Sequence, residues 1–416
     1  MEPPPAPDGF DPAASAFLQD PDPFFRRARA ECPVFHDETA DAFIVSRYDD
    51  VLQVMQDNAT FSSHVATKVL PPPADLADSV TVDPAGASII NLDPPEHTGK
   101  RKIINRAFTR PRVLALAPAL REYAHALVDG FEAEGRCDLM SQYANPMASV
   151  AAVDLLGLRR EDIPRYNEWS GAMLGLMRHG RQAGSSITEE RVRAIYAPVV
   201  EALDYFRDML AERRQDPRED MLSVLLAAEG PDGTPAMDDE EIVVHLLSVV
   251  AAGTETSANL TASTLALLDR NPRARERVLA EPELIATALD ETIRRHPSAQ
   301  TVQRRTKCPV DIGGVDLPTG SLVIASIVSA CNDESVFEQP ERFDLDRDNL
   351  SKHLSFGKRA HFCVGAPLAK QTAAIAVEVL YERIPDLRIP EPATEFEPLR
   401  GLRVAKGLEA TWTTAS

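Results

Sequence analysis

The segment MDDEEIVVHLLSVVAAGTETSANLTASTLALLDRN, Met237 to Asn271, constrains the fold more than any other stretch of this chain. It is apolar with few interruptions from about Glu240 to Asp269 and reads as one helix. At about 1.5 Å per residue such a helix spans roughly 45 Å, enough to cross a whole domain. Asp238 is placed to cap it with Glu241 three residues on, and the acids of the first turn suit the positive end of the helix dipole. Asn271-Pro272 stops it. Being apolar nearly all round, it should be buried.

Its middle is wrong for a simple core helix. Gly253, Thr254, Thr256 and Ser257 are weak helix formers, and their hydroxyls compete for backbone carbonyls. Two readings fit. One is a tolerated kink with its hydroxyls satisfied. The other is a notch where a ligand approaches the backbone, with Glu255 and Thr256 supplying a carboxylate and a hydroxyl suited to relaying protons.

The remaining pattern is mostly helical. PPPAP opens an extended N-terminal arm over residues 1–15, LPPPAD around Pro71 to Pro73 reads as a functional loop, and EGPDGTPAMDD breaks the chain before the long helix. Strand signals are confined to AFIVSRY near Phe43, PVDIGGVDLPTGSLVIAS with its Gly313-Gly314 turn, and the tail from Leu402 to Trp412. Length alone would suggest two or three domains at 416 residues, but no repeat or linker divides the chain. The expected architecture is a single domain, residues 1–416, mainly α with small β-sheets.

Composition removes several function classes. A formal charge of -20 argues against a nucleic-acid binder, which needs a basic surface to neutralise phosphates. No run of some 18 apolar residues and no signal-like opening is present, so a soluble cytoplasmic protein is expected, with no membrane partner. The five cysteines (Cys32, Cys137, Cys308, Cys331, Cys363) are odd in number and scattered, which leaves neither a disulfide framework nor a C-x-x-C metal pattern.

One of these cysteines stands in an unusual context. SFGKRAHFCVGAPLAK holds Cys363 between a glycine-bearing loop and a helix start, where the N–H groups of Val364, Gly365 and their neighbours suit a thiolate. An inert buried thiol needs neither His361 nor the glycines beside it, while a nucleophile activated by His361 remains an alternative. Upstream, Glu291 and Arg294 are three apart on the helix ELIATALDETIRRHPS and can pair, a commonplace arrangement when it stands alone.

Together these pieces resemble the cytochrome P-450 family, in its bacterial soluble class. The resemblance rests on A-G-x-E-T-S at Ala252 to Ser257, E-x-x-R at Glu291 to Arg294, P-E-R-F at Pro340 to Phe343, and F-G-x-x-x-H-x-C-x-G at Phe356 to Gly365. It covers nearly the whole chain, beginning with SRYDDVLQVMQDNATFSS and continuing through NLDPPEHTGKRKIINRAFTRPRV. It implies the fold of that family, with the long helix lying over a haem b (iron protoporphyrin IX).

Site residues follow from the same resemblance. Cys363 would be the thiolate ligand of the iron, and His97, Arg101, Arg304 and His361 would hold the haem propionates. Ala252, Gly253, Phe356 and Gly365 would lie against the haem. Glu255 and Thr256 would deliver protons during oxygen activation, and Glu291, Arg294 and Arg342 would form a buried structural triad. The substrate pocket would be lined by the loop from about Ser62 to Ile90, the stretch Met173 to Met177, Val249, Ala252, Ser298 to Val302, and Leu402 to Val404. Members of the family usually carry glycine where this chain has Arg359, at a tight turn of the cysteine loop.

The implied activity is that of a haem-thiolate monooxygenase, inserting one atom of O2 into a small to medium apolar organic molecule. The other reading is a haem-thiolate sensor of gas or redox state without turnover. The chain has no G-x-G-x-x-G loop and no spare cysteine set for an iron–sulfur cluster, so NAD(P)H electrons would arrive through a separate ferredoxin and reductase or a fused reductase. GKRKIINRAFTRPR carries Lys100, Arg101, Lys102, Arg106, Arg110 and Arg112 without an acid. Such a run is usually a solvated face. Beside a haem, the residues other than Arg101 would form a docking patch for an acidic donor, extended by Lys358, Arg359 and Lys370.

Overall fold

The computed structural model describes residues 4–66, 69–77, 79–80, 88–181, 187–230, 232–390, 396 and 401–414. It is mainly helical with small sheets. The central helix runs unbroken from Asp239 to Arg270, about 48 Å at the standard rise. Its capping box is complete: Asp238 accepts from the Glu241 N–H, and the Glu241 carboxylate accepts from the Asp238 N–H. Asn271 caps its end, and Pro272 opens the next helix, Pro272–Ala280.

Among the described residues the helices Asn145–Leu156, Ile163–Arg181, Ile285–Arg295 and Ala366–Arg383 pack most extensively on this one, with Glu189–Gln215 also against it. Their shared core is the largest in the molecule, with Trp169, Tyr143, Tyr166 and Tyr196 fully buried. The weak helix formers at mid-length do not break the central helix. Its hydroxyls bond back one turn, Thr256 to the Ala252 carbonyl at 2.6 Å and Thr264 to that of Leu260 at 2.7 Å.

A five-stranded sheet stands beside the helical body, in the order Val34–Asp37, Ala42–Val45, Leu322–Ser326, Thr301–Thr306, Phe61–Ser62. Ala42–Val45 runs parallel to Leu322–Ser326, and the other pairs are antiparallel. Val310–Ile312 and Val315–Leu317 form the hairpin expected at Gly313-Gly314, both at positive φ. Thr301–Thr306 carries no apolar alternation, since TVQRRT places Arg304 inside the protein, and its strand character comes from its pairing. The tail contributes Glu409–Thr411, paired with Arg136–Asp138. Near the N-terminus, Pro5 bridges His36, and Phe10 packs on Phe24 and Phe35. No helix among the described residues is long and apolar enough to cross a membrane.

Candidate active site

The cysteine loop is shaped by its own backbone. The Cys363 N–H donates to the Phe356 carbonyl at 2.7 Å, and the Gly357 N–H to that of Leu354 at 2.8 Å. Gly357 sits at φ +73, and a Cβ there would meet the His361 carbonyl oxygen at 2.8 Å, so only glycine fits. Gly365 has ordinary φ, and an added Cβ would stand 3.9 Å from the Cys363 sulfur and 4.0 Å from the Phe108 ring. Arg359 is left-handed at φ +53, which costs a non-glycine residue about 1 kcal/mol or more.

Cys363 is exposed, yet protein surrounds it closely enough that burial pushes the thiol up. The N–H of Gly365, the Arg101 guanidinium and the N–H of Ala366 pull it back toward thiolate. The amides that favour the thiolate stand at Gly365 and Ala366, where the helix Ala366–Arg383 begins. His361 turns to Ser63, 3.0 Å from its Nε2, and packs against His97 with ring centroids 4.2 Å apart and the ring planes tilted by 42°. Among the described residues no bond joins it to the cysteine, which removes the support for a Cys–His nucleophile.

Four cationic or imidazole groups gather beside this loop. Arg101 donates to the Phe362 carbonyl at 2.5 Å. Among the described residues the guanidinium of Arg304, 4 % exposed, reaches only the Gln303 carbonyl and its Nε has no partner, and His97, 1 % exposed, has neither ring nitrogen partnered. Burial, then Arg101, holds the His97 imidazole below its usual range; burial, then Arg304 and His97, pushes His361 to about 3; burial lowers Arg304 to about 10. Among the described residues the carboxylate that acts on these groups is Asp93, engaged by Lys307 at 2.9 Å and by the Ser63 N–H at 2.8 Å. Unpaired donors buried at this density cost several kcal/mol unless a group with negative charge meets them. This donor set fits the two carboxylates of a haem beside an available thiol.

On the central helix, Ala252 is exposed and Thr256 half-buried, although most of that helix is buried. The Thr256 carbonyl accepts from the Ser298 hydroxyl at 3.1 Å, and Glu255 is half-buried beside it. A Cβ added at Gly253 would stand 3.5 Å from the Tyr166 hydroxyl and 3.6 Å from Ala152. Phe356 lies half-buried between His353 and Phe362. Leu174, Leu402 and Val404 form a small apolar cluster of their own, bringing two of the expected pocket segments together. Of the loop from Ser62 to Ile90, residues 67–68, 78 and 81–87 lie outside the described residues.

The triad differs from expectation. Arg294 and Glu291 are fully buried and joined by two bonds of 2.6 and 2.9 Å, but the second arginine on Glu291 is Arg347, at 3.3 Å. Arg342 is exposed, and only its backbone carbonyl faces the pair. The basic run also divides. Lys100 is held in ion pairs with Glu96 at 2.9 Å and with Glu241, and Lys370 pairs with Asp290 at 2.7 Å. Lys102, Arg106 and Arg110 are exposed and Arg112 partly so, none of them ion-paired among the described residues. Leu114, just after the basic run, and Phe362 are exposed, and Phe362 lines a groove of about 330 Å³ with Asp290, Phe356, Lys358, Pro367 and Lys370.

The sequence model of the cytochrome P-450 family matches residues 26–383. The chain belongs to this family. Its curated relatives include a mycinamicin IV hydroxylase/epoxidase of Micromonospora griseorubida, 30 % identical over 89 % of this chain and 88 % of that one. Cytochrome P-450 107B1 of Saccharopolyspora erythraea is 31 % identical over 90 % of each chain. Among solved structures, CYP109Q5 from Chondromyces apiculatus superposes with a TM-score of 0.85 at 30 % identity, covering 98 % of this chain and 99 % of that one.

As a cytochrome P-450 this protein is a monooxygenase that uses haem b and O2, with NAD(P)H electrons supplied through a redox partner. The hydroxylase and epoxidase names of its relatives favour turnover over sensing. Sequence reading missed Asp93 and Arg347, and it placed Ser63 and Ser298 only within expected pocket segments, without their bonds to His361 and Thr256. Only Asp93 left a local signal, an acid one helical turn before His97 in NLDPPEH; the others reach the site from distant segments.

Proposed function

We propose that Cys363 is the axial thiolate, that His97, Arg101, Arg304 and His361 bind the haem propionates, and that Glu255 and Thr256 hold and move the protons of oxygen activation. Bound haem supplies the redox chemistry by which one oxygen atom enters the substrate. The observation that carries this reading is the set of buried, unpartnered donors on His97 and Arg304 beside an available cysteine. Thr256 parks its hydroxyl on the Ala252 carbonyl, which leaves the oxygen free to accept a proton and pass one on. Thr256→Ala is expected to leave NAD(P)H consumption within about threefold of wild type while most electrons appear as peroxide. Unchanged coupling of NAD(P)H to product would sink the relay.

The apolar cluster of Leu174, Leu402 and Val404 supports a small to medium apolar substrate. For the redox partner, the exposed and unpaired Lys102, Arg106, Arg110 and Arg112 support docking of an acidic ferredoxin, with Leu114 and Phe362 as apolar contacts and Lys100 left out. Exchanging Arg106 and Arg110 together for Glu should raise the KM for the donor tenfold or more at low salt, with a smaller ratio at high salt. Arg359→Gly should add a milder donor defect while raising the thermal midpoint slightly, because strain is relieved. A donor KM indifferent to these changes would remove the patch.

A further inference from the structure

Most hydroxyls of the central helix bond back along it. Ser248, Thr256, Thr261 and Thr264 each donate to the carbonyl four residues earlier, at 2.8, 2.6, 3.3 and 2.7 Å. Thr254 instead donates to the Tyr166 hydroxyl, 3.1 Å away on the helix Ile163–Arg181. Both side chains are buried, Thr254 at 4 % exposure and Tyr166 at 0 %. The same phenol oxygen lies against Gly253, where an added Cβ would stand 3.5 Å from it. One fixed oxygen thus meets two successive residues of the turn of weak helix formers.

That turn carries the proposed relay. At 3.6 residues per turn, Thr254 and Thr256 stand about 200° apart around the axis. Thr254 is buried, while Thr256 is half-buried one turn after exposed Ala252. Holding Thr254 from behind therefore fixes the direction in which Thr256 projects, and the Ser298 hydroxyl holds the Thr256 carbonyl at 3.1 Å from another segment. Burial pushes the Tyr166 phenol up, the Thr254 bond pulls it back, and the Glu255 charge pushes it up again, so the phenol stays neutral and acts through its hydrogen bond and not as an acid. Leu174 of the apolar pocket cluster stands eight residues further along the same helix, about 12 Å at the standard rise. One rigid element then sets both a pocket wall and the relay turn.

We propose that Tyr166 is a positioning residue for oxygen activation: through Thr254 it fixes the turn that aims Thr256, a role that rests on Glu255 and Thr256 being the relay. In Tyr166→Phe the ring remains and the oxygen is lost. Thr254 is then left to bond back to the Val250 carbonyl, as its neighbours do to theirs, and the turn loses its tie to the pocket helix. A small displacement of a relay group is enough to lose much of its effect.

The first test is hydrogen exchange of the haem-loaded protein, read by mass spectrometry. Exchange over residues 252–257 is expected to rise several-fold in Tyr166→Phe and in Thr254→Val, with Ala366–Arg383 unchanged. No rise over residues 252–257, or an equal rise in Ala366–Arg383, overturns the inference, the second because it marks general loosening. The second test is coupling, with ethylbenzene as the apolar probe and rates referred to haem that forms the ferrous carbon monoxide complex. Each variant should yield at least threefold less hydroxylated product per NAD(P)H consumed, with the balance as peroxide, and the double variant should be no worse than either single one, because the two share one bond. Normal coupling in Tyr166→Phe beside an uncoupled Thr256→Ala overturns this inference alone; normal coupling in Thr256→Ala removes the relay and this inference with it. Thr254→Val carries both comparisons if Tyr166→Phe fails to fold.

Discussion

Cys363→Ser is expected to abolish the far-red-shifted Soret band of the ferrous carbon monoxide complex and, with it, substrate oxidation. A serine hydroxyl keeps the size and the loop bonds but does not become an anionic sulfur donor at neutral pH. The amides of Gly365 and Ala366 and the Arg101 guanidinium, which favour the thiolate here, then have nothing to stabilise. Because the loop is held by backbone bonds from Cys363 to Phe356 and from Gly357 to Leu354, the variant should still fold. Survival of the shifted band would assign the iron to another ligand.

The second large effect concerns stability. Arg294 has no exposed surface and spends its guanidinium on Glu291 and on the carbonyls of Cys331 and Pro340 at 2.9 and 2.8 Å. Removing it leaves a buried carboxylate with one remaining arginine, and Arg294→Met should cost about 3–5 kcal/mol or prevent haem loading altogether. Arg347→Met should cost about 1–3 kcal/mol, since it removes a single charged bond to Glu291. Arg342→Met should stay within about 0.5 kcal/mol, as surface changes usually do. Urea midpoints of the three haem-loaded variants measure this order, and an Arg342 effect as large as that of Arg347 would overturn the assignment of the triad.

The choice between Arg342 and Arg347 illustrates what a linear reading misses. Both lie in the same coil, Arg342 within P-E-R-F and Arg347 shortly after it, and either is long enough to reach Glu291. The coil turns so that the Asp344 N–H meets Glu291 at 3.1 Å, which brings Arg347 inward and leaves Arg342 facing solvent. The basic run shows the same limit. Lys100 and Lys102 are indistinguishable by composition, yet Lys100 lies within reach of Glu241 at the start of the central helix and Lys102 does not. No local pattern states which acid a lysine will meet across 141 residues.

Several features were legible from sequence because each depends on neighbours in the chain. The capping box at Asp238, the stop at Asn271-Pro272, the bond between Glu291 and Arg294 and the turn at Gly313-Gly314 are set by short spacings, and each stands in the structure where the spacing puts it. The left-handed backbone at Arg359 is not stated by its residue type, because the loop around it sets the turn. By itself the sequence determined the long buried helix, the cysteine loop and the family, since these follow from local periodicity and ordered motifs. Only the tertiary structure decided which cations stay unpaired, which arginine joins Glu291, and that Tyr166 meets Thr254. Those outcomes depend on packing between segments far apart in the chain, and the free energy of a charge is settled by what surrounds it.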